Sequence, residues 1–279
     1  MEVTFWGVRG SIPAPGPGTV RYGGNTACVS VRLQNGELVI LDLGTGARSL
    51  GTTLMEGPFG KGQGRATVLL SLSQWDHIQG FPFFMPLYVP GNEFTVYGGT
   101  NHTNELEDIL ERQMAAQYFP VQTYKNMAAR ISLQALPAGN TFKVGDATVR
   151  AVRQDQGPLG ATIYRIDDGG HSFAYAGHGT CRDGDARTEL LRDVDLMVHE
   201  CSYSHGDWER YADRGLSSVD QAVACAMSVH AKRLALFHYD QDYTDAEVDA
   251  LLARGQRLAQ EQGSSTQVVA ATERQTLTV

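Results

Sequence analysis

Apolar runs separated by turn-forming clusters divide the chain into a strand-rich first part and a later part where strands and helices alternate. "VTFWGV", "CVSVRL" and "ELVILDLG" read as strands, and Asn35-Gly36 between the last two is a strong hairpin signal. "RATVLLSLS" and "EFTVYGG" are further strands. The Gly/Pro-rich stretch "GSIPAPGPGTVRYGGNT" is too long for a simple turn, and long ordered loops usually have a task.

Residues 103–114, "TNELEDILERQM", carry a helical pattern, and "FKVGDATVRAVRQ" and "ATIYRIDDGGHSFAYAG" return to strands, the latter folded about Asp168-Gly169-Gly170. After Asp195 the texture changes. "DLMVHE" is a buried strand, "SSVDQAVACAMSVH" a helix, "RLALFHY" a strand, and "TDAEVDALLARGQRLAQEQ" a helix opened by the capping box Thr244…Glu247. The order predicts one domain over residues 1–279 of the α/β class. Two sheets lie inside and helices outside, a four-layer αβ/βα sandwich.

Lysine and arginine number 23 against 31 aspartates and glutamates, a formal charge of -8. That balance argues against a generic polyanion-binding surface, so a nucleic acid polymer is not an expected partner, although a pocket for one small phosphate is compatible with it. No apolar run approaches the ~18 residues that span a bilayer, and the N-terminal segment lacks signal-peptide character, so no membrane association and a cytoplasmic location are expected. Cys28, Cys181, Cys201 and Cys225 show no C-x-x-C spacing and read as buried thiols.

Polar residues of metal-ligand type stand at successive strand ends, where α/β proteins place their sites. Asp42 follows "LVIL", Asp76-His77 follow "VLLSLSQW", His178 follows "SFAYAG", His199-Glu200 follow "DLMV", and His238 follows "RLALF". One histidine after an apolar strand is usually a hydrogen-bonded structural group. A series of them is harder to dismiss.

The segments "FWGVRGSIPAPGPGTVRYGGNTAC", "LVILDLGTGAR", "SQWDHIQGFPFFMPLYVPGNEFTVYG", "MAAQYFPV", "YRIDDGG", "SFAYAG" and "LALFHYD" run nearly end to end. Through them the chain resembles the metallo-β-lactamase superfamily, in particular its branch of PhnP-like cyclic phosphodiesterases. The resemblance implies the metallo-β-lactamase fold and a His-x-His-x-Asp-His signature holding two metals. Paired metals acidify bound water and neutralise charge on a phosphoryl oxygen.

Laid on that pattern, the sequence keeps one half of the site. The first two signature histidines correspond to Leu72 and Gln74, and a later His-Pro loop to "QDQGPLG", with Gln156 or Gly157 opposite the histidine. A further family histidine beside the substrate corresponds to Leu216, and the bridging aspartate to His178. Asp76, His77 and His238 remain.

Two readings follow. In the first, the protein is a degenerate pseudoenzyme that binds or senses a small molecule, phosphorylated or not, with Leu72 and Leu216 making the pocket drier and no metal held. In the second, Asp76, His77, His178 and His238 hold one divalent metal (Zn, Mn or Fe), and the protein is a mononuclear hydrolase of a phosphodiester or related ester. Asp76 and Gln74 are then the catalytic candidates, although Gln74 can orient a water and cannot act as a base at neutral pH. A scaffold role is the third class.

Arg9, Arg21 and Asn25 lie in the long loop and could contact a ligand phosphate or pin the loop. Asp42 is expected to cap the "GTGAR" turn. His199-Glu200 matches a family position near the metals and is expected to support the ligands rather than join them. Tyr203 and Trp208 read as core or pocket wall, and His102, His171, His205 and His230 as surface residues. "ERQMAAQYFPV" could form a homodimer contact.

Overall fold

The computed structural model describes residues 1–98, 103–120, 123–136, 140–154, 161–177, 179–211 and 215–279. Along the chain come β1 (Glu2–Gly7), β2 (Cys28–Arg32), β3 (Leu38–Leu41), β4 (Arg65–Leu69), β5 (Glu93–Gly98) and β6 (Arg130–Ala135). Then follow β7 (Thr141–Val144), β8 (Ala147–Gln154), β9 (Ala161–Asp168), β10 (His171–Tyr175), β11 (Leu196–Glu200), β12 (Arg233–Phe237), β13 (Gln267–Ala270) and β14 (Thr276–Thr278). They form two seven-stranded sheets, ordered β14-β1-β2-β3-β4-β5-β6 and β13-β12-β11-β10-β9-β8-β7. Each sheet is antiparallel in one half and parallel in the other.

The helices are α1 (Gly46–Met55), α2 (Trp75–Ile78), α3 (Thr103–Gln113), α4 (Ala186–Leu191), α5 (His205–Arg210), α6 (Val219–Ser228) and α7 (Asp245–Glu261). Alternation along the strands decides what each face meets. In the first sheet Val29, Val31, Val39 and Leu41 point into a core shared with Ile163, Phe173 and Leu236 of the second sheet. Leu38, Ile40 and Val68 point outward onto a second cluster containing Leu50, Phe84 and Leu110. Helices α6 and α7 cover the far face of the second sheet at β12 and β13. The four layers are those of the metallo-β-lactamase αβ/βα sandwich. The parallel strands are buried on both faces, which is why "LVIL" and "LMVHE" read as unbroken apolar runs with their polar residues at the C-terminal ends.

Helix α1 departs from the strand-rich reading of the first third. Its glycines and threonines are poor helix formers, but packing overrides propensity. A Cβ at Gly46 would stand 2.5 Å from the Trp6 carbonyl carbon, so only glycine lets the helix seat on β1. The expected capping box at α7 is present, with the Thr244 amide donating to Glu247 Oε2 at 2.6 Å. Helix α6 has its own, between Ser218 and Gln221.

The cysteine expectation needs correcting. Cys28 and Cys201 are buried free thiols, but Cys181 and Cys225 form a disulfide across 44 residues. Spacing in sequence carries no sign of this pair, because the topology brings the segment after β10 against α6. A crosslink closing a loop of that length stabilises by about 4 kcal/mol in the chain-entropy view. Among the described residues no helix is long and apolar enough to cross a membrane.

Candidate metal centre

The parallel halves of both sheets deliver side chains to one place, beyond the C-terminal ends of β3, β4, β11 and β12. After β4 the chain turns through Gln74 into the short helix α2, which carries Asp76 and His77 on consecutive positions, both buried. Glycines set α2 close to the first sheet: a Cβ at Gly44 would lie 2.2 Å from the Asp76 carbonyl oxygen, and one at Gly80 would lie 1.9 Å from that of Gly44. His238 follows β12 with φ 62°, and Asp42 follows β3 with φ 61°. Left-handed backbone at a non-glycine residue is costly, and such strain gathers at functional sites.

Asp76, His77 and His238 each offer one ligand atom, and these atoms lie within 4.8 Å of one another. Asp76 Oδ2 is 2.9 Å from His238 Nε2 and 3.6 Å from His77 Nε2, and the two imidazoles stack with centroids 5.2 Å apart. The long loop reaches the group through backbone, as the Ser11 amide donates to Asp76 Oδ2 at 2.8 Å.

Each imidazole is oriented from behind. His77 Nδ1 donates to Asp42 Oδ2 at 2.8 Å. His238 Nδ1 lies 3.3 Å from Ser202 Oγ and 3.5 Å from Glu200 Oε1, and Ser202 Oγ donates to that same Glu200 oxygen at 2.9 Å. Both Nε2 atoms are thereby aimed at Asp76, an arrangement in which a supporting carboxylate fixes the tautomer of a metal-binding histidine.

Whether these residues fit a cation can be asked of His77 Nε2. It is buried and has no hydrogen-bond partner. A buried polar atom without a partner is rare and calls for an explanation such as an ion. Two imidazoles and one carboxylate form a donor set suited to Zn²⁺, Fe²⁺ or Mn²⁺ with open positions left over. The residues fit. Burial opposes the charged form of His77, but Asp76 and Asp42 outweigh it and push the imidazole up to about 9. Burial likewise works against a charged Asp76, yet His77, His238 and the Ser11 amide hold its carboxyl well below the usual range. The pocket is thus built to hold positive charge.

The remaining candidates go elsewhere. Leu72 is half-buried and Gln74 exposed, so neither adds a ligand atom to the three. Leu216 is half-buried, and its carbonyl accepts from Trp208 Nε1 at 3.0 Å. His178, Gln156 and Gly157 lie outside the described residues, as does His102.

The loop residues are a correction. Arg9 is fully buried and donates to the carbonyls of Gly23, Asp240 and Tyr243, Arg21 pairs with Asp249, and Asn25 donates to Glu273. All three pin the loop rather than face the metal-type group. Asp42 is also corrected. It leaves the turn before α1 to Thr26 and Thr45, which exchange amide-to-hydroxyl bonds, and instead accepts from Ser71 N, Ser71 Oγ, Tyr175 Oη and His77. Its signal in the sequence was an acid at the end of a fully apolar strand.

His199 is buried and faces away from the group. Nδ1 donates to the Glu200 carbonyl at 2.7 Å, while Nε2 accepts from Arg187 at 2.9 Å. The support at this position comes from Glu200. Tyr203 is core, and His171, His205 and His230 are exposed.

Residues 40–239 match the family model described as beta-lactamase superfamily domain. The chain is 29% identical to a ribonuclease Z of Kineococcus radiotolerans over 175 residues, 53% of this chain and 54% of that protein. It therefore spans about half the length of that relative. To a ribonuclease Z of Halobacterium salinarum it is 24% identical over 286 aligned positions, 87% of this chain and 88% of the other. Among solved structures, the metallo-beta-lactamase fold protein YhfI of Bacillus subtilis superposes with a TM-score of 0.71 at 18% identity, covering 99% and 98% of the two chains. A diphosphatase of the PhnP family gives 0.63 at 18% identity, covering 100% and 97%. At such identities the structural likeness is one of fold.

Proposed function

The chain belongs to the metallo-β-lactamase superfamily, and from that premise we propose that it is a hydrolase of small phosphodiesters or related esters using one divalent cation held by Asp76, His77 and His238. The observation that carries this reading is the buried, unpartnered His77 Nε2, aimed at Asp76 and His238 and fixed from behind by Asp42. The ribonuclease Z relatives and the PhnP-family diphosphatase neighbour support the reaction class.

A cation so held supplies an acidified water and charge neutralisation at a phosphoryl oxygen. The protein's own contributions are positional. Asp42 and Glu200 fix the imidazole tautomers, and the Ser11 amide fixes one Asp76 oxygen. Gln74, exposed at the N-cap of α2 two residues before Asp76, would be the side chain to orient a water or a phosphoryl oxygen. Leu216 stands where the resemblance puts a proton donor, so the substrate favoured is one whose leaving group departs without protonation, such as an aryloxide or a phosphate. The net charge of -8 favours a small ester over a nucleic acid polymer.

Leu72 and Leu216 favour a second reading, a binding protein that has lost turnover. One experiment separates the two. Metal content is measured on the wild type, Asp76→Asn and His77→Ala after growth with Zn, Mn and Fe, alongside hydrolysis of bis(p-nitrophenyl) phosphate. The hydrolase gives about one metal per chain and turnover, both lost in the variants. Metal without turnover sinks the hydrolase, and a metal-free, inactive wild type sinks the centre itself and leaves the binding protein.

A further inference from the structure

The Cys181–Cys225 disulfide joins two segments that differ in exposure. Cys225 is buried on α6, whereas Cys181 is half-buried in the segment 179–185, whose residues 182–185 are exposed. Both cysteines line a cavity of about 430 Å³ together with Thr180, His205, Trp208 and Ser218. The bond is therefore reachable from solvent through Cys181. The other two thiols are different. Cys28 and Cys201 are wholly buried, and burial pushes both thiols above their ordinary range, so they are poor nucleophiles.

Beyond the crosslink, segment 179–185 is tied at three points: the Gly179 amide donates to Ser217 Oγ at 2.8 Å and its carbonyl accepts from Arg187, Arg182 exchanges bonds with Thr188 Oγ1 through its amide and carbonyl, and the Asp185 carbonyl accepts from the Glu189 amide. The Ser217 carbonyl in turn accepts from the Ser202 amide at 3.0 Å. Ser202 Oγ touches Glu200 and His238 Nδ1. A short path thus joins the disulfide to the back of His238.

We propose that Cys181–Cys225 is a reversible thiol–disulfide modification site, open through this cavity to a dithiol reductant, and that its state sets how firmly segment 179–185 and Ser217 are held behind His238. In the reducing direction a thiolate of the dithiol attacks Cys181 Sγ, the Cys181–Cys225 bond breaks, and Cys225 leaves as a thiolate that takes up a proton. The second thiolate of the dithiol then displaces Cys181, which is likewise protonated. The dithiol becomes a disulfide, two electrons having passed to the protein pair. The reverse step needs a disulfide oxidant of the same class. The effect on hydrolysis rests on the function proposed above, whereas the redox state and the loosening do not.

The test uses the full chain, prepared without reductant, before and after dithiothreitol under native conditions. Alkylation with mass spectrometry should label neither Cys181 nor Cys225 before treatment and both after it, with Cys28 and Cys201 unlabelled throughout. Amide hydrogen exchange in residues 179–185 should quicken several-fold on reduction. The variant Cys181→Ser should show the fast exchange whether or not reductant is present. If that variant does not fold, the treated wild type decides alone. Free thiols at both positions in the untreated protein, a bond that resists dithiothreitol until denaturant is added, or unchanged exchange in 179–185 would each overturn the proposal. A protein inactive in both states but with redox-dependent exchange would refute the hydrolase and leave this site standing.

Discussion

Asp42 Oδ2 stands 2.8 Å from Nδ1 of His77, across 35 residues of sequence, and the same carboxylate accepts from Ser71 and Tyr175. The pair ties the end of β3 to helix α2. It directs the Nδ1 proton of His77 to Asp42 and leaves Nε2 to face Asp76. Burial keeps the Tyr175 phenol protonated far above its ordinary range, so it remains a donor to this carboxylate.

Asp42→Asn keeps the volume but turns an amide N–H₂ toward groups that are themselves donors. We expect a loss of about 3 kcal/mol in stability, the cost of leaving buried donors without their acceptor. Metal affinity should fall about 10- to 100-fold, as it does when the partner behind a metal-binding histidine is removed. Urea unfolding in the presence of chelator checks the first figure, and competition with a chromogenic chelator checks the second. Unchanged metal affinity would show that Asp42 serves the fold alone.

Gly10→Ala tests positioning without touching any ligand. A Cβ there would lie 2.3 Å from His238 Cε1 and 2.4 Å from Nδ1, inside any tolerable contact. The ring has little room to yield, since it stacks on His77 and holds Asp76. The variant should fold, because Gly10 lies outside the strands and helices and its amide bond to the Tyr239 carbonyl needs no side chain. Metal affinity should drop about tenfold or more, read by the same competition. Wild-type affinity in Gly10→Ala would mean that His238 does not bind in the orientation described.

How much of this was legible in the sequence follows from what each feature depends on. The sheets were readable because parallel strands buried on both faces leave long apolar runs, and the ends of those runs marked Asp76, His77 and His238. Helix α1 was not, since its glycines oppose helix formation in isolation and are required only by contact with Trp6 and Phe84. The burial of Arg9 was hidden by its setting in a Gly/Pro-rich loop, where a cation ordinarily faces water. Three carbonyls from distant segments satisfy it instead. The Asp42–His77 bond and the Cys181–Cys225 link join residues 35 and 44 positions apart, and no local pattern encodes a contact set by sheet order.

His199 makes folding stability depend on pH in a defined window. Burial, reinforced by the Arg187 guanidinium, lowers its pKa from an ordinary 6.5 to about 4 in the folded protein. Between those values the unfolded chain binds the proton more tightly, so stability is fully present above about pH 6.5 and is lost as pH falls toward 4. The shift corresponds to about 3 kcal/mol in all, with a slope of up to about 1.4 kcal/mol per pH unit. His77 acts in the opposite sense and elsewhere. Its folded pKa of about 9 gives stability below pH 6.5 that is lost as pH rises toward 9, outside this window. Urea unfolding with chelator at pH 7, 5.5 and 4.5 should therefore show a steep decline in the wild type. His199→Gln, which can still accept from Arg187 and donate to the Glu200 carbonyl but cannot titrate, should show a flatter one. Parallel declines in the two proteins would mean that His199 is not held neutral and that the acid sensitivity arises from other groups.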